Sequence, residues 1–352
     1  MPDSADRPLA FGERIVAWQR VHGRNALPWQ NTRDPYRVWL SEVMLQQTQV
    51  STVLGYYDRF LQRFPDVVAL AGASIDDVFA LWSGLGYYSR ARNLHRCAQA
   101  VATAHDGRFP ETSAELMQLP GIGRSTAAAI AAFCFGEQVA IFDGNVKRVL
   151  ARLLAFEGDL GEARAQRALW DCATDLLPAS DVARYTQGLM DLGATVCLAR
   201  DPHCLLCPAA DLCIAARNGT VDRYPIKSRR VRRGTREHVW LWLAWRDRLW
   251  LTRRPERGVW SGLWSLPELE SEAELDAMRA GWPGELEILS SFTHVLTHLD
   301  WTLHPRRWVL PDRTARTRVD ALTGRWTDGR WFTRAEALAL GLPAPLRRLL
   351  SE

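Results

Sequence analysis

The run Ser125-Thr126-Ala127-Ala128-Ala129-Ile130-Ala131-Ala132-Phe133-Cys134-Phe135 carries almost no polar side chain beyond its first turn. A helix that is apolar on every face must be enclosed by other elements, so this segment predicts the centre of a helical domain. Before it stands Leu119-Pro120-Gly121-Ile122-Gly123, too short for anything but a tight hairpin between two helices. Gly121 and Gly123 can take positive φ there and leave amide N–H groups open beside a helix start, where the dipole favours an anion such as a phosphate. After the apolar run comes Asp143-Gly144-Asn145-Val146-Lys147-Arg148-Val149-Leu150, an acid at an N-cap followed by an amphipathic helix. Taken singly, the hairpin is an ordinary helix-helix turn and Asp143 an ordinary cap. Their succession around one buried helix is less ordinary.

A chain of 352 residues is long enough for two domains. The tryptophans mark the division: five of the sixteen fall at or before Trp170 and eleven between Trp240 and Trp331. Between them, residues 223 to 236 hold seven Lys or Arg and no acid, the composition of a basic linker that can follow a nucleic-acid backbone. We therefore expect a helical domain over residues 1–225, a linker over 226–236 and a second domain over 237–352. The net charge of +4 suits a polyanionic partner without requiring one. No apolar run approaches a membrane span and the first residues lack a signal-peptide pattern, so the expected site is intracellular, cytoplasmic and nucleoid-associated if the source is bacterial.

Within the first domain, Asp34-Pro35 caps a helix over Tyr36 to Leu45 that is apolar nearly all round yet carries Glu42. Two readings stay open. Glu42 reaches solvent or pairs with Arg37, or it sits in an apolar pocket where its raised pKa makes it a general acid. Leu45 and the amide and hydroxyl groups of Gln46, Gln47 and Thr48 follow directly; they can read base edges or simply cap the next helix. Gly84-Leu85-Gly86-Tyr87-Tyr88 sets two aromatics between a glycine turn and a basic helix, an arrangement suited to wedging into a base stack or to edging a core.

Cys197, Cys204, Cys207 and Cys213 lie within seventeen residues. Four thiolates so close point to one metal centre in a reducing compartment rather than to disulfides. Zinc loops usually show two short Cys pairs and this one shows a single Cys-x2-Cys, which favours iron-sulfur. Beyond the linker the pattern changes to period two, His238 to Trp245 and Leu249 to Thr252 around a turn at Arg246-Asp247, with further strands near Ile288, Leu296 and Trp308 and helices at 271–280, 333–340 and 345–350. The second domain is expected to be α+β.

The hairpin with Asp143, the segment Trp39 to Gln49, the turn Gly84 to Tyr88 and the four cysteines together resemble the adenine DNA glycosylases of MutY type, within the endonuclease III-like helix-hairpin-helix superfamily. Residues Arg254-Pro255 and Gly258-Val259-Trp260-Ser261-Gly262-Leu263-Trp264-Ser265-Leu266-Pro267 resemble that family's Nudix-related recognition domain, without the Glu-rich Nudix helix, so no metal-dependent pyrophosphatase is expected. The resemblance implies hydrolysis of the N-glycosidic bond of adenine mispaired with 8-oxoguanine or guanine in double-stranded DNA, by a monomer holding a 4Fe-4S cluster on the four cysteines.

It also implies roles. Glu42 protonates N7 of adenine, Asp143 stabilises the cationic sugar from a helix N-terminus, and Asn145 orients groups nearby. DNA contacts fall on Leu45, Gln46, Gln47, Thr48, Leu85, Tyr87, Gly121, Gly123 and Ser125, with Leu85, Tyr87 and Gln47 filling or distorting the vacated stack. Two departures stand out. Ser125 occupies the position where lyase relatives carry an attacking Lys, so a monofunctional enzyme is expected. Leu296-Thr297-His298 replaces the family's Phe-Ser-His, leaving Thr297 and His298 to read the damaged base through groups that donate or accept. The rival readings are a lyase acting on oxidised pyrimidines and an iron-sulfur protein without hydrolytic activity.

Overall fold

The computed structural model describes residues 6–228 and 233–352. Residues 229–232 of the expected linker lie outside the described residues. The described chain groups into two compact units, 6–72 with 96–228, and 73–95 with 233–352. The sequence assigns residues 73–95 to the helical domain, whereas by packing they group with the sheet. Arg253 pairs with Asp76 at 2.6 Å, the Tyr88 hydroxyl donates to the Leu342 carbonyl at 3.1 Å, and Arg347 Nε donates to Ser83 Oγ at 2.8 Å. No described helix is long and apolar enough to cross a membrane.

The helical unit is built around the expected apolar segment. Residues Arg124–Ile130 form an α-helix that continues into a π-helical turn, Ala131–Phe135, before Gly136 ends it at φ 73°. Ala127 to Ala132 are buried without exception, as a helix with no polar face requires. The helices Asp6–His22, Gly144–Leu153, Ala163–Asp175 and Val182–Thr195 supply much of the surrounding core, through Phe11, Ile15, Leu150, Leu169, Tyr185 and Leu189. The Gly144–Leu153 helix is strongly amphipathic, with Val146, Val149, Leu150 and Leu153 buried. The helix that follows Gln46-Gln47-Thr48 runs over Val50–Arg63, with Gln49 as its N-cap.

The second unit is an eight-stranded sheet among the described residues: β1 Gly234–Trp245, β2 Arg248–Arg253, β3 Trp264–Ser265, β4 Glu268–Leu269, β5 Glu285–Ile288, β6 Phe292–Val295, β7 Leu299–Leu310 and β8 Gly329–Thr333. The order is β3-β2-β1-β7-β5, with β4 on β1, β6 on β7 and β8 on β2. β1 and β7 run parallel over their whole length, from Gly234 opposite Leu299 to Trp245 opposite Leu310. Alternation along β1 sends Trp240 to one face and Val239, Leu241, Leu243 and Trp245 to the other. Helix Ala344–Ser351 covers the first face; helices Glu272–Arg279 and Arg316–Thr323 cover the second. The Arg316–Thr323 helix is missing from the sequence reading because only Val319 and Thr323 of its eight residues are buried, too few to set a period.

Trp301 of β7 is 1% exposed, lies 4.8 Å from the near-parallel ring of Trp260, and donates its indole N–H to His238 Nδ1 at 2.9 Å. Trp301→Ala should therefore destabilise this unit by about 3–5 kcal/mol. Denaturant unfolding of the purified variant measures it, and a loss under about 1 kcal/mol would show that the tryptophan cluster is not the centre of the core.

Candidate active site

Asp34 starts the Pro35–Leu45 helix, its carboxylate accepting from the Tyr36 amide at 2.9 Å. The helix buries Val38, Trp39, Leu40, Val43 and Met44. Glu42 faces inward and lines a cleft of about 460 Å³ together with Trp29, Leu45, Phe133, Gln187 and Met190. Arg37 pairs with Asp34 at 3.5 Å instead, which removes the reading of Glu42 as that residue's surface partner. Burial, with a smaller contribution from the Asp143 carboxylate, pushes Glu42 up to about 7.

Asp143 caps the Gly144–Leu153 helix, accepting from the Val146 amide at 2.7 Å. The sequence argues for an ionised Asp143 from its place at a helix N-terminus. That effect is present, in the Val146 and Asn145 amides and the Lys147 and Arg148 charges, but burial is the larger influence and raises the carboxyl. Two buried carboxyls thus repel one another's charge, and the pair favours holding one proton. Asp143 has the amide donors and the cations, so the proton belongs on Glu42.

Ser125 braces this geometry. Its hydroxyl accepts from the Phe142 amide at 3.1 Å and so holds the residue just before Asp143. Asn145 is held through its Oδ1 by Arg148 Nη2 at 2.9 Å; the same guanidinium donates to the carbonyls of Gly193 at 2.7 Å and Cys197 at 2.8 Å. One turn on, Arg152 is only 2% exposed and donates to the carbonyls of Tyr224, Leu198 and Ala199 and to Cys197 Sγ at 3.4 Å. The helix that carries Asp143 is therefore tied by two arginines to the cysteine loop.

Cys197, Cys204, Cys207 and Cys213 line one small cavity with Arg152, Val196, Ala210 and Val221. Among the described residues, no three His, Cys, Asp or Glu side chains are arranged to hold a single metal ion. The four thiols line one small space with a buried guanidinium beside it, a donor set of the kind that holds a metal centre.

The hairpin is held from inside by Leu119 and Ile122, both buried, while Gly121 (φ 77°) and Gly123 are exposed at the mouth of the Arg124–Ile130 helix. After Leu45, Gln46 reaches Thr126 Oγ1 at 3.4 Å, Thr48 donates to the Gln46 carbonyl at 3.4 Å, and Gln47 stands exposed in the left-handed region at φ 57°. A non-glycine residue held in that conformation marks a loop fixed by its surroundings.

In the sheet unit the turn before Tyr88 is fastened by Arg90, which donates to the Leu85 carbonyl at 3.1 Å and the Gly86 carbonyl at 3.3 Å. Leu85 is 5% exposed and faces inward, as an apolar chain on a glycine turn does when a core is within reach. Tyr87 is the outward member, 45% exposed, with φ 48°. Thr297 and His298 form the exposed tip of the β6–β7 hairpin, closed by the Leu296 amide donating to the Leu299 carbonyl at 2.8 Å. The Tyr87 and Thr297 hydroxyls are 2.8 Å apart, so the expected wedge and the expected reader are joined by a hydrogen bond.

Sequence reasoning missed the rest of the cleft wall: Trp29, Gln187, Met190 and Arg24. One buried charge behind it could have signalled Arg24 and Gln187: Asp191 sits in the apolar run Leu189 to Ala194, and a charge in such a run needs a partner.

Two family models match the chain. "HhH-GPD superfamily base excision DNA repair protein" covers residues 40–173 and "NUDIX domain" covers 238–352. A relative from Buchnera aphidicola subsp. Baizongia pistaciae, named adenine DNA glycosylase, is 32% identical over 352 residues, spanning 98% of this chain and 97% of its own. A relative of the same name from Mus musculus is 43% identical over 215 residues, 58% of this chain and 42% of its own. Among solved structures, a thermostable thymine-DNA glycosylase superposes with a TM-score of 0.54 at 27% identity, over 60% of this chain and 98% of that one.

The Glu42 carboxyl links the site to stability. Its folded-state pKa of about 7 exceeds the ordinary 4.5, so over that window the folded state keeps a proton that the unfolded chain has released. Rising pH therefore favours unfolding there, and the cost is complete above about pH 7. Glu42→Gln removes the ionisation and keeps the shape. It should raise Tm at pH 8 and change it little at pH 4. A variant no more stable than its parent at pH 8, in thermal scans, would place Glu42 in water.

Proposed function

The chain belongs to the adenine DNA glycosylase family and hydrolyses the N-glycosidic bond of adenine in DNA; we propose that its substrate is adenine paired with 8-oxoguanine or guanine, and that it stops at base removal. The observation that carries the chemistry is Glu42, raised to about 7 at the wall of a cleft beside Asp143.

The target base is inaccessible inside a duplex and has to be extruded, at roughly a few kcal/mol. The exposed Gly121 and Gly123 suit a phosphate of the strand. In the cleft the Glu42 carboxyl donates its proton to adenine N7, so the base leaves as a neutral species. The Asp143 carboxylate, held by the Val146 amide, lowers the energy of the cationic sugar. Glu42, now ionised, takes a proton from the attacking water. Asn145 is held by Arg148 and so acts from a fixed position. Ser125 spends its hydroxyl on the Phe142 amide and offers no amine to attack C1′, which supports a reaction that ends at the abasic site.

The four cysteines would hold a 4Fe-4S cluster, with Arg152 and Arg148 offsetting its negative charge. When bound it would supply rigidity to the loop that these arginines grip, and through it to the helix of Asp143. Thr297 and His298 are proposed to read the base opposite adenine. The Thr297 hydroxyl bonds to Tyr87 and keeps an acceptor lone pair for a donor such as N7–H of 8-oxoguanine.

Glu42→Gln and Asp143→Asn should each lower single-turnover adenine release from such a duplex by at least ~10²-fold, with mismatch binding nearly unchanged. Either variant cutting at the parent rate would remove its residue from the mechanism. Borohydride should trap no covalent complex between the parent enzyme and the product; a trapped complex would contradict the monofunctional reading.

A further inference from the structure

Ser291 directly precedes β6, and His304 lies on β7. The two strands are antiparallel with Phe292 opposite Leu303, so the pleat that turns those two toward the core turns Ser291 and His304 the other way. The His304 ring stands between two partners: Nδ1 is 2.6 Å from Ser291 Oγ, and Nε2 is 2.6 Å from Glu237 Oε1 on β1. Ser291 and Glu237 are exposed, while the His304 side chain is only 19% exposed.

An ionised carboxylate only accepts hydrogen bonds, and a neutral imidazole carries one N–H. That proton is therefore on Nε2, facing Glu237, which leaves Nδ1 as a bare acceptor and makes the Ser291 hydroxyl its donor. No other placement of the proton on a neutral ring satisfies both contacts. A hydroxyl bonded to an imidazole whose far nitrogen is bonded to a carboxylate is the arrangement that turns serine into a nucleophile. Either ring nitrogen can take the serine proton, since an imidazolium shares its charge between both. Two residues along each strand, the Thr293 and Thr302 hydroxyls are 3.1 Å apart. Their bond uses one of two hydrogens, and the other can donate to an oxygen that gains charge on this face.

We propose that Ser291, His304 and Glu237 form a second reactive site, one that is acylated by small activated carboxylic esters and hydrolyses them. Ser291 Oγ attacks the carbonyl carbon while its proton passes to His304 Nδ1, and Glu237 stabilises the imidazolium. The ester C–O bond breaks and the alcohol leaves with that proton. Water then attacks the acyl-serine and loses a proton to the same nitrogen, which returns it to Ser291 Oγ as the acid departs. Ser291 and His304 are the catalytic residues; Glu237 acts through the ring and is a positioning residue. Neither Glu42 nor Asp143 takes part.

The test treats the full chain with an alkyl fluorophosphonate, which forms a P–O bond to an activated serine with loss of fluoride and a proton, and locates the label by peptide mass spectrometry. Ser291 should be labelled, and its exposed neighbour Ser290 should not. His304→Gln should slow labelling by at least ~10²-fold, and its hydrolysis of p-nitrophenyl acetate should fall to the Ser291→Ala level. Glu237→Ala should slow both reactions, with part of the rate restored by added formate, a rescue that a merely structural contact would not show. Ser291 and Glu237 are exposed, so their variants serve where His304→Gln fails to fold. Equal labelling of Ser290 and Ser291, or none at either, overturns the proposal, as does a parent that hydrolyses p-nitrophenyl acetate no faster than Ser291→Ala. A Glu237→Ala variant as fast as the parent, or one that formate does not restore, overturns the relay.

Discussion

A carboxyl removed from water beside a second carboxyl is the interaction on which the helical unit turns. Left to itself such a pair disfavours the fold, since each charge is poorly solvated and each repels the other. The chain resolves this asymmetrically. Asp143 sits where a helix start supplies the Val146 amide, with Lys147 and Arg148 near, while Glu42 is left with burial and its neighbour's charge. One group becomes the better acid and the other the better anion, a division of labour created by placement on two helices and not by any difference in chemistry between Asp and Glu.

Placement has to be kept to within fractions of an ångström, and the supports are visible. Ser125 holds the Phe142 amide immediately upstream of Asp143, and Arg148 and Arg152 clamp the helix downstream of it to the cysteine loop. Gly193 admits this arrangement: a Cβ there would lie 2.6 Å from Asn145 Cβ. The loop is thus part of the support of the Asp143 helix, although its cysteines lie more than forty residues further along the chain. In the other unit, Arg90 grips the glycine turn that presents Tyr87, and Tyr87 in turn bonds to the hairpin tip at Thr297.

Much of this was legible in the sequence because the signals were local. An eleven-residue apolar run, a Pro-Gly hairpin, an acid before an amphipathic helix and a tight group of four cysteines each constrain their own neighbourhood, and the structure places the first three as helix, turn and cap. What could not be read was whatever depends on distant pairs. Leu85 reads as a loop residue and lies inside. Residues 73–95 read as helical-domain sequence and pack with the sheet, through Asp76, Ser83 and Tyr88. The Arg24–Asp191 pair spans 167 positions, and nothing in either segment names its partner. The helix Arg316–Thr323 escaped notice for a different reason, being too sparsely buried to imprint a period.

The central claim is that a neutral Glu42 supplies the proton for base release. The most direct measurement is the pH dependence of the single-turnover rate of adenine release. With Glu42 at about 7, the reactive protonated form should be depleted as pH rises through neutrality, so the rate should fall by about ten-fold per unit above that point. A rate that stays level from pH 6 to pH 9 would contradict the account and require another source for the proton.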